Sequence, residues 1–140
     1  MTPTTPEIEI LNRSWDAMER DDRDEFRAIT RESAHPRCEW TPLLSGVDGR
    51  TYHGPDGMVE FFEVWLESFV PRYEDRQFED LGSGVILASC RVHLEGRESG
   101  VSMDRELALL MEWQDGLLRR GRTFDTRAAA LEAAEELRIA

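Results

Sequence analysis

Three arginines occupy strand positions at which the sequence pattern predicts an apolar face. Arg120 and Arg122 share one side of the run 117–124 with apolar residues, and Arg105 does the same in the run 102–114. The apolar side of an antiparallel strand packs on the core, so the pattern predicts three guanidinium groups that point inward. A guanidinium binds a carboxylate or an enolate oxygen through paired hydrogen bonds, which makes this face a candidate anion site.

A guanidinium inside the protein needs an anion, because an unpaired buried charge costs on the order of 3–5 kcal/mol. Three interpretations of the arginines stay open. The first is an ion pair inside the protein. The second is that Arg120 lies near the solvent-exposed edge of its strand and extends its guanidinium into water. The third is a clamp for the acidic group of a ligand, with Arg105 and Arg122 close together on neighbouring strands. The carboxylates available for internal pairing include Glu39, Asp16 and Glu63.

The other residues that could carry catalysis or hold a metal form no recognisable motif. The three histidines show neither an HxH nor an HExxH pattern, and Cys38 and Cys90 lie far apart without a CxxC pair. The chain has no lysine for Schiff-base chemistry. Asp125 fits a cap of the final helix better than a catalytic base. We therefore expect no metal and no cofactor, and the catalytic residues stay unknown.

Helical and alternating apolar spacings predict an α+β fold. "HPRCEWTPL" predicts a turn followed by a short strand, and "SGVDGRTYHGPDG" predicts a loop. Asp125 and Thr126 precede a final helix that is rich in alanine. The other predicted helices cover 7–20, a segment capped by Asp22, and about 55–69, and the later strands cover about 72–80, 84–95, 102–114 and 117–124.

Length, charge and hydropathy restrict the organisation and the partners. The 140 residues suit one domain, which we place at 7–140 after a disordered start over 1–6. The net charge of −12 repels phosphate backbones, so we expect no nucleic-acid partner. No apolar run approaches the ~18 residues of a membrane span, and no apolar segment precedes the first helix. We therefore expect a cytoplasmic protein without a membrane partner.

Five segments together resemble the SnoaL-like branch of the nuclear transport factor two-like (NTF2-like) superfamily. They occur in the family order and read "HPRCEW", "YHGPDGMVEFFEVW", "EGRESG", "EWQDG" and "FDTRAAALEAAEEL". The resemblance implies a cone, in which a curved antiparallel sheet wraps around three N-terminal helices, with a C-terminal helix and an apolar pocket open at one end. It also implies a homodimer. Relatives include ketosteroid isomerase, limonene epoxide hydrolase, polyketide cyclases and binding modules, so the fold alone assigns no function.

In such a cone the inward face predicts a pocket with aromatic walls whose polar groups are mainly arginines. Tyr52 belongs to this wall because the family's aromatic residue before the loop glycine lines the pocket. The predicted ligand-binding residues are Trp15, Trp40, Tyr52, Trp65, Arg105 and Arg122. This pattern favours the binding of a small, largely apolar molecule with an acidic or enolate-type group. The alternatives are an isomerase, cyclase or epoxide hydrolase-like enzyme that uses acid–base chemistry, and a dimeric interaction module without a ligand.

Arg122 departs from the family pattern. It lies three residues before Asp125, where the epoxide hydrolases carry a carboxylate, and the inferred inward faces of the last three strands hold no Asp or Glu. An enzyme would need Glu39 or Asp16 to reach the pocket from the other side. The outward strand positions, which include His93 and Asp104, suit a polar dimer interface or open solvent equally well.

Overall fold

Within residues 5–42 and 50–139, the part of the chain that the computed structural model describes, four helices and six strands form an α+β fold. The helices are α1 (Pro6–Glu19), α2 (Arg23–Ser33), α3 (Gly54–Ser68) and α4 (Arg127–Ile139). The strands are β1 (Ala34–Thr41), β2 (Tyr52–His53), β3 (Phe69–Gly82), β4 (Val85–Gly96), β5 (Ser102–Gln114) and β6 (Leu117–Phe124). The predicted fold class is confirmed, and β2 is a short strand inside the segment that was predicted as a loop.

The helix ends follow the capping residues of the sequence. The Thr5 side chain accepts a hydrogen bond from the Ile8 N–H at 3.2 Å, and Asp22 accepts one from Glu25 at 3.1 Å. At α4 the capping oxygen belongs to Thr126, which accepts from the Ala129 N–H at 3.1 Å. Because α1 begins at Pro6, only residues 1–4 of the predicted disordered start lie outside the described residues.

The strands form one curved, unclosed sheet in the order β2-β1-β6-β5-β4-β3. The last four strands pair as antiparallel neighbours, as predicted. The sheet is mixed rather than wholly antiparallel, because β1 runs parallel to β6, with Trp40 opposite Gly121. Side-chain alternation predicts which face a residue occupies but not the direction of the neighbouring strand, and the sequence therefore could not reveal this pair.

Helices cover both faces of the sheet. The helices α1, α2 and α3 pack on the face that we call concave, where they form the main apolar core with the inward residues of the strands. Helix α4 packs on the opposite, convex face and contacts β5. Its alanines Ala130, Ala133 and Ala134 lie against Leu87, Ala108 and Leu110. No helix among the described residues is both long and apolar enough to cross a membrane.

A β-bulge in the β5–β6 hairpin changes which residues of β6 face the core. Trp113 pairs with Leu118, whereas Glu112 pairs with Arg120, so one residue of β6 is left unpaired between them. Leu118 therefore lies in the main core, but Arg120 and Arg122 lie on the convex face. The prediction that these two arginines point into the cone is wrong, because an inserted residue reverses the alternation of the strand that follows it.

Candidate functional site

A cavity of about 80 Å³ lies between the helices α1 and α3 and the concave face of the sheet. Its wall consists mainly of aromatic and aliphatic side chains, to which the helices and the strands both contribute. The aromatic members are Trp15, Trp40, Phe61, Phe62, Trp65 and Tyr73. A concave, apolar space with few polar groups is the usual form of a small-molecule site.

Four of the six predicted ligand-binding residues line this cavity, namely Trp15, Trp40, Trp65 and Arg105. Tyr52 does not belong to the lining set. Its ring packs on Phe61, with 5.1 Å between the two ring centroids. The Arg50 guanidinium lies over the same ring, with its Cζ atom 4.7 Å from the centroid. Arg122 also lies outside the lining set, because the bulge places it on the convex face.

The aromatic wall is held in place by ring contacts and by one glycine. Trp15 stacks on Tyr73 at a centroid distance of 5.0 Å and an interplanar angle of 9°. Trp40 contacts Phe62 at 5.3 Å. A Cβ atom on Gly121 would lie only 2.7 Å from Cε3 of Trp40, so the indole can lie against β6 only because this residue has no side chain.

Arg105 is the basic residue of the cavity wall. It stands opposite Val92 in the β4–β5 ladder, on the concave face, and is half-buried. Its guanidinium makes no hydrogen bond or ion pair with any described residue. The carboxylates considered for internal pairing bind elsewhere or lie on another strand: Asp16 pairs with Arg76 at 2.8 Å, Glu63 pairs with Arg27 at 2.6 Å, and Glu39 lies opposite Arg120.

On the convex face, Arg122 has a different environment. Its Nη2 lies 4.0 Å from a carboxylate oxygen of Glu112, which also pairs with Arg120. The Nε and Nη2 atoms of Arg122 are buried and have no hydrogen-bond partner among the described residues. Burial and the neighbouring charge of Arg120 lower the pKa of Arg122. This arginine is therefore a poorly compensated charge near α4 and not a member of the cavity wall.

The remaining polar groups of the cavity wall are mostly hydrogen-bond donors. The Tyr73 hydroxyl is buried, and its contact is the sulfur of Met18 at 3.6 Å, a weak acceptor. Burial raises the pKa of Tyr73 well above its ordinary value, so the hydroxyl keeps its proton. The Thr123 hydroxyl donates to the carbonyl of Thr41 at 2.9 Å. Glu106 also borders the cavity, but its side chain lies on the convex face, where its carboxylate accepts a hydrogen bond from the Arg127 N–H of α4 at 3.0 Å.

Neither the carboxylates that could act as bases nor the histidines His53 and His93 lie in the cavity wall. Neither Glu39 nor Asp16 belongs to the lining set. His53 is exposed at the start of α3, and His93 contacts Asp104 on the convex face, with 2.9 Å between Nδ1 and Oδ1. The described residues contain no group of three or more His, Cys, Asp or Glu side chains that could hold a metal ion.

Tyr73 is a wall residue that the sequence pattern missed. A second bulge, in β3 between Glu74 and Gln77, contains Asp75 with a φ of 54°. Because of this bulge, Tyr73 and Phe78 both face Trp15, although one has an odd and the other an even residue number. Strict alternation places these two residues on opposite faces, so the sequence pattern could not reveal that both face Trp15.

Comparisons with known proteins identify the fold. No family model and no curated protein matches the chain. An NTF2-like protein of unknown function from Burkholderia pseudomallei K96243 has 17% identity and a TM-score of 0.71, over 92% of this chain and 97% of that one. TerC, co-crystallised with polyporic acid, has 19% identity and a TM-score of 0.69, over 94% and 99%.

A third solved structure, a candidate SnoaL-like polyketide cyclase from Jannaschia sp. CCS1, has 17% identity and a TM-score of 0.69, over 95% of this chain and 96% of that one. These matches cover nearly the whole of each chain. The protein therefore has the NTF2-like fold that the five sequence segments predict. At such low identities the similarity concerns the fold, and the function has to be argued from the site.

Proposed function

We propose that this protein binds a small, largely apolar molecule with an acidic or enolate-type group in the cavity between α1, α3 and the sheet. Arg105 is the residue that binds the acidic group, and Trp15, Trp40 and Trp65 contact the apolar body. The observation that supports this proposal is the guanidinium of Arg105, which has no ion-pair partner among the described residues, at the wall of a largely apolar cavity.

The two parts of the wall would contribute differently to binding. Contact with the aromatic side chains removes apolar surface from water, which stabilises the complex by about 25 cal/mol per Å² of buried area. This contribution is nearly the same for any apolar molecule of suitable shape. A hydrogen bond from a charged donor is about twice as strong as a neutral one, so Arg105 would select for acids.

The protein's overall charge makes a local clamp necessary. The net charge of −12 repels an anion at long range. The half-buried guanidinium of Arg105, which has no carboxylate partner among the described residues, attracts an anion inside the cavity. Water and salt screen this attraction less there than at the protein surface. TerC, which shares this fold at 19% identity, was co-crystallised with polyporic acid, so a protein of this fold has been observed with an acid.

The alternative of an isomerase, cyclase or epoxide hydrolase-like enzyme has less support. General base catalysis needs a group within hydrogen-bond reach of the substrate proton, usually with a raised pKa. Among the described residues, Glu106 is the acidic residue that borders the cavity, and its carboxylate is on the convex face, where it accepts a hydrogen bond from the Arg127 N–H. Tyr73 is a protonated donor and would stabilise a developing oxyanion rather than remove a proton.

Titration calorimetry with 4-phenylbutanoate and with its primary amide tests the proposal. The two compounds share their apolar body and differ in charge. We expect the acid to bind at least about tenfold more tightly, since a hydrogen bond to a charged group contributes about 1.5–3 kcal/mol. Arg105→Gln should remove this preference. Arg91→Gln, an exposed change opposite Glu106 on the convex face, is the matched control and should keep it.

Two results would contradict the proposal. One is equal affinity for the acid and the amide, and the other is an unchanged preference for the acid in Arg105→Gln. Failure of a broad set of aromatic and fatty acids to bind would favour the third interpretation, an interaction module without a ligand.

We also propose a homodimer in the cytoplasm. The convex face carries polar side-chain pairs, such as His93 with Asp104 and Arg120 with Glu112. A face of this kind suits contact with a second copy through polar groups. Light scattering tests the assembly state: a mass near 16.1 kDa at micromolar concentration, which is that of one chain, would contradict the dimer.

A further inference from the structure

The indole N–H of Trp40 is a buried donor that no described residue satisfies. Trp40 lies on β1 and is 4% exposed, and its Nε1 atom has no hydrogen-bond partner among the described residues. Nearly all buried polar groups in folded proteins have a partner. A buried donor in the wall of a cavity, without a partner among the described residues, is therefore a candidate to bind an acceptor atom of a ligand.

The position of the indole ring leaves the N–H free for such an acceptor. A Cβ on Gly121 would lie 2.7 Å from Cε3 and 2.8 Å from Cζ3 of Trp40, so the six-membered ring of the indole lies against β6. The Nε1 atom belongs to the five-membered ring, and no described residue accepts a hydrogen bond from it.

Trp40 lines two cavities. Besides the first cavity, a second one of about 50 Å³ lies between α1, α2, α3 and the sheet. Trp15, Met18, Phe62 and Leu109 are also common to the two walls. An acceptor atom in the first cavity, whose wall also contains Arg105, is thus next to the Trp40 indole ring but not next to a residue that lines only the second cavity. No charged side chain is among the described residues that line the second cavity.

We infer that the ligand carries a second polar group, a neutral oxygen such as a carbonyl, which accepts a hydrogen bond from the Trp40 indole. Tryptophan can only donate, so the partner has to be an acceptor. A second anionic group is disfavoured, because this part of the wall offers no positive charge to compensate its desolvation. The inference rests on the proposed function and makes it more specific: the ligand class becomes that of apolar oxo acids, with the carboxylate at Arg105 and the oxo group at Trp40.

A matched pair of probes tests this inference. The compounds 4-phenylbutanoate and 4-oxo-4-phenylbutanoate have the same carbon skeleton and the same carboxylate, and they differ only in one carbonyl oxygen. We expect the oxo acid to bind about two- to tenfold more tightly to the wild-type protein, as one neutral hydrogen bond contributes. Trp40→Phe, which removes the N–H, should abolish this difference.

Trp113→Phe is the control for Trp40→Phe. Trp113 also has a buried N–H without a partner among the described residues, but it lines only the second cavity. The preference for the oxo acid should persist in this variant. An equal affinity of the two acids for the wild-type protein, or an unchanged preference in Trp40→Phe, would overturn the inference.

A spectrum of the unaltered protein provides a second test that does not require Trp40→Phe to fold well. The ¹H–¹⁵N spectrum of the four indole groups can be assigned by single Phe substitutions at the other tryptophans. The oxo acid should move the Trp40 indole proton downfield, and 4-phenylbutanoate should move it much less. The same shift of the Trp40 indole proton with both acids would overturn the inference. In that case, a loss of affinity for both acids in Arg105→Gln would still support the proposed function. If neither acid binds, the proposed function fails and the inference with it.

Discussion

Arg122 lies opposite Leu110 across the β5–β6 ladder, on the face of the sheet that α4 covers. Leu110 is fully buried there among the alanines of α4, whereas the Arg122 side chain is 24% exposed and keeps two nitrogen atoms buried without a partner. The guanidinium also lies near Arg120, the residue that forms the closer pair with Glu112. We therefore infer that the Arg122 charge lowers the stability of the folded protein on the convex face.

Replacing Arg122 by methionine should therefore not destabilise the protein. Methionine keeps most of the apolar stem and removes the uncompensated charge. We expect the free energy of unfolding to stay the same or to rise by up to about 1 kcal/mol. Denaturation in urea measures this quantity. Arg120→Met is the matched control, and it should lower the stability because it leaves Glu112 without its nearest partner. A clear loss of stability in Arg122→Met would contradict this account.

The two bulges explain why the elements could be predicted from the sequence while the arginine face could not. The spacing of apolar residues predicts helices and strands, because these patterns depend on neighbours in the chain. The face of Arg122 depends on one extra residue in β6 opposite Glu112 and Trp113, and no residue type in that stretch signals it. Tyr73 was missed for the same reason, since the bulge at Asp75 brings it and Phe78 to one face.

Gly121 should be essential for the position of Trp40. An alanine at residue 121 would place its Cβ within 3 Å of two ring carbons of Trp40 and close to the sulfur of Met111. The ring would have to move out of a packed core, which typically costs 1–3 kcal/mol. We expect Gly121→Ala to lower the stability by about this amount and to change the tryptophan fluorescence.

Gly57→Ala provides the comparison for Gly121→Ala. Gly57 lies in α3, and a Cβ there meets Tyr52 at an ordinary distance of 3.6 Å. Since alanine is the better helix former, this change should be neutral or stabilise the protein by about 0.5–1 kcal/mol. Equal effects of the two substitutions on stability would show that the contact between Gly121 and Trp40 has no special role.

Alkaline pH should destabilise the fold through buried groups that keep their protons. Burial raises the pKa of Cys90 from 9.0 to about 12. Between these values the unfolded chain binds fewer protons than the folded protein, so the stability is fully present below pH 9 and falls as the pH rises. Burial also raises the pKa of Tyr73, which adds to the decline above pH 10.

Urea denaturation of the wild-type protein and of Cys90→Ala between pH 8 and pH 10 checks this contribution. One such group contributes a slope of up to about 1.4 kcal/mol per pH unit. The variant should show a flatter decline just above pH 9, where Tyr73 does not yet contribute. The same slope in both proteins would mean that Cys90 does not retain its proton in the folded state.

The candidate site could be predicted in part. The three tryptophans and Arg105 were predicted as wall residues from the spacing of apolar residues in their elements, and all four line the cavity. The prediction for Tyr52 relied on the pocket-lining role of the corresponding aromatic residue in the family. In this structure Tyr52 lies in the edge strand β2, opposite Trp40, and does not line the cavity. The unpaired indole N–H of Trp40 was not predictable, since only the packing of the whole core decides which donors lack a partner.

A crystal structure of the protein with 4-phenylbutanoate tests the central claim most directly. We predict a carboxylate about 2.7–2.9 Å from the guanidinium nitrogens of Arg105, with the phenyl ring in the cavity against Trp15 and Trp65. The convex face offers a competing site, because Arg120 and Arg122 also present guanidinium groups. A carboxylate bound at that pair, or a phenyl ring in the cavity with its carboxylate directed away from Arg105, would contradict the account.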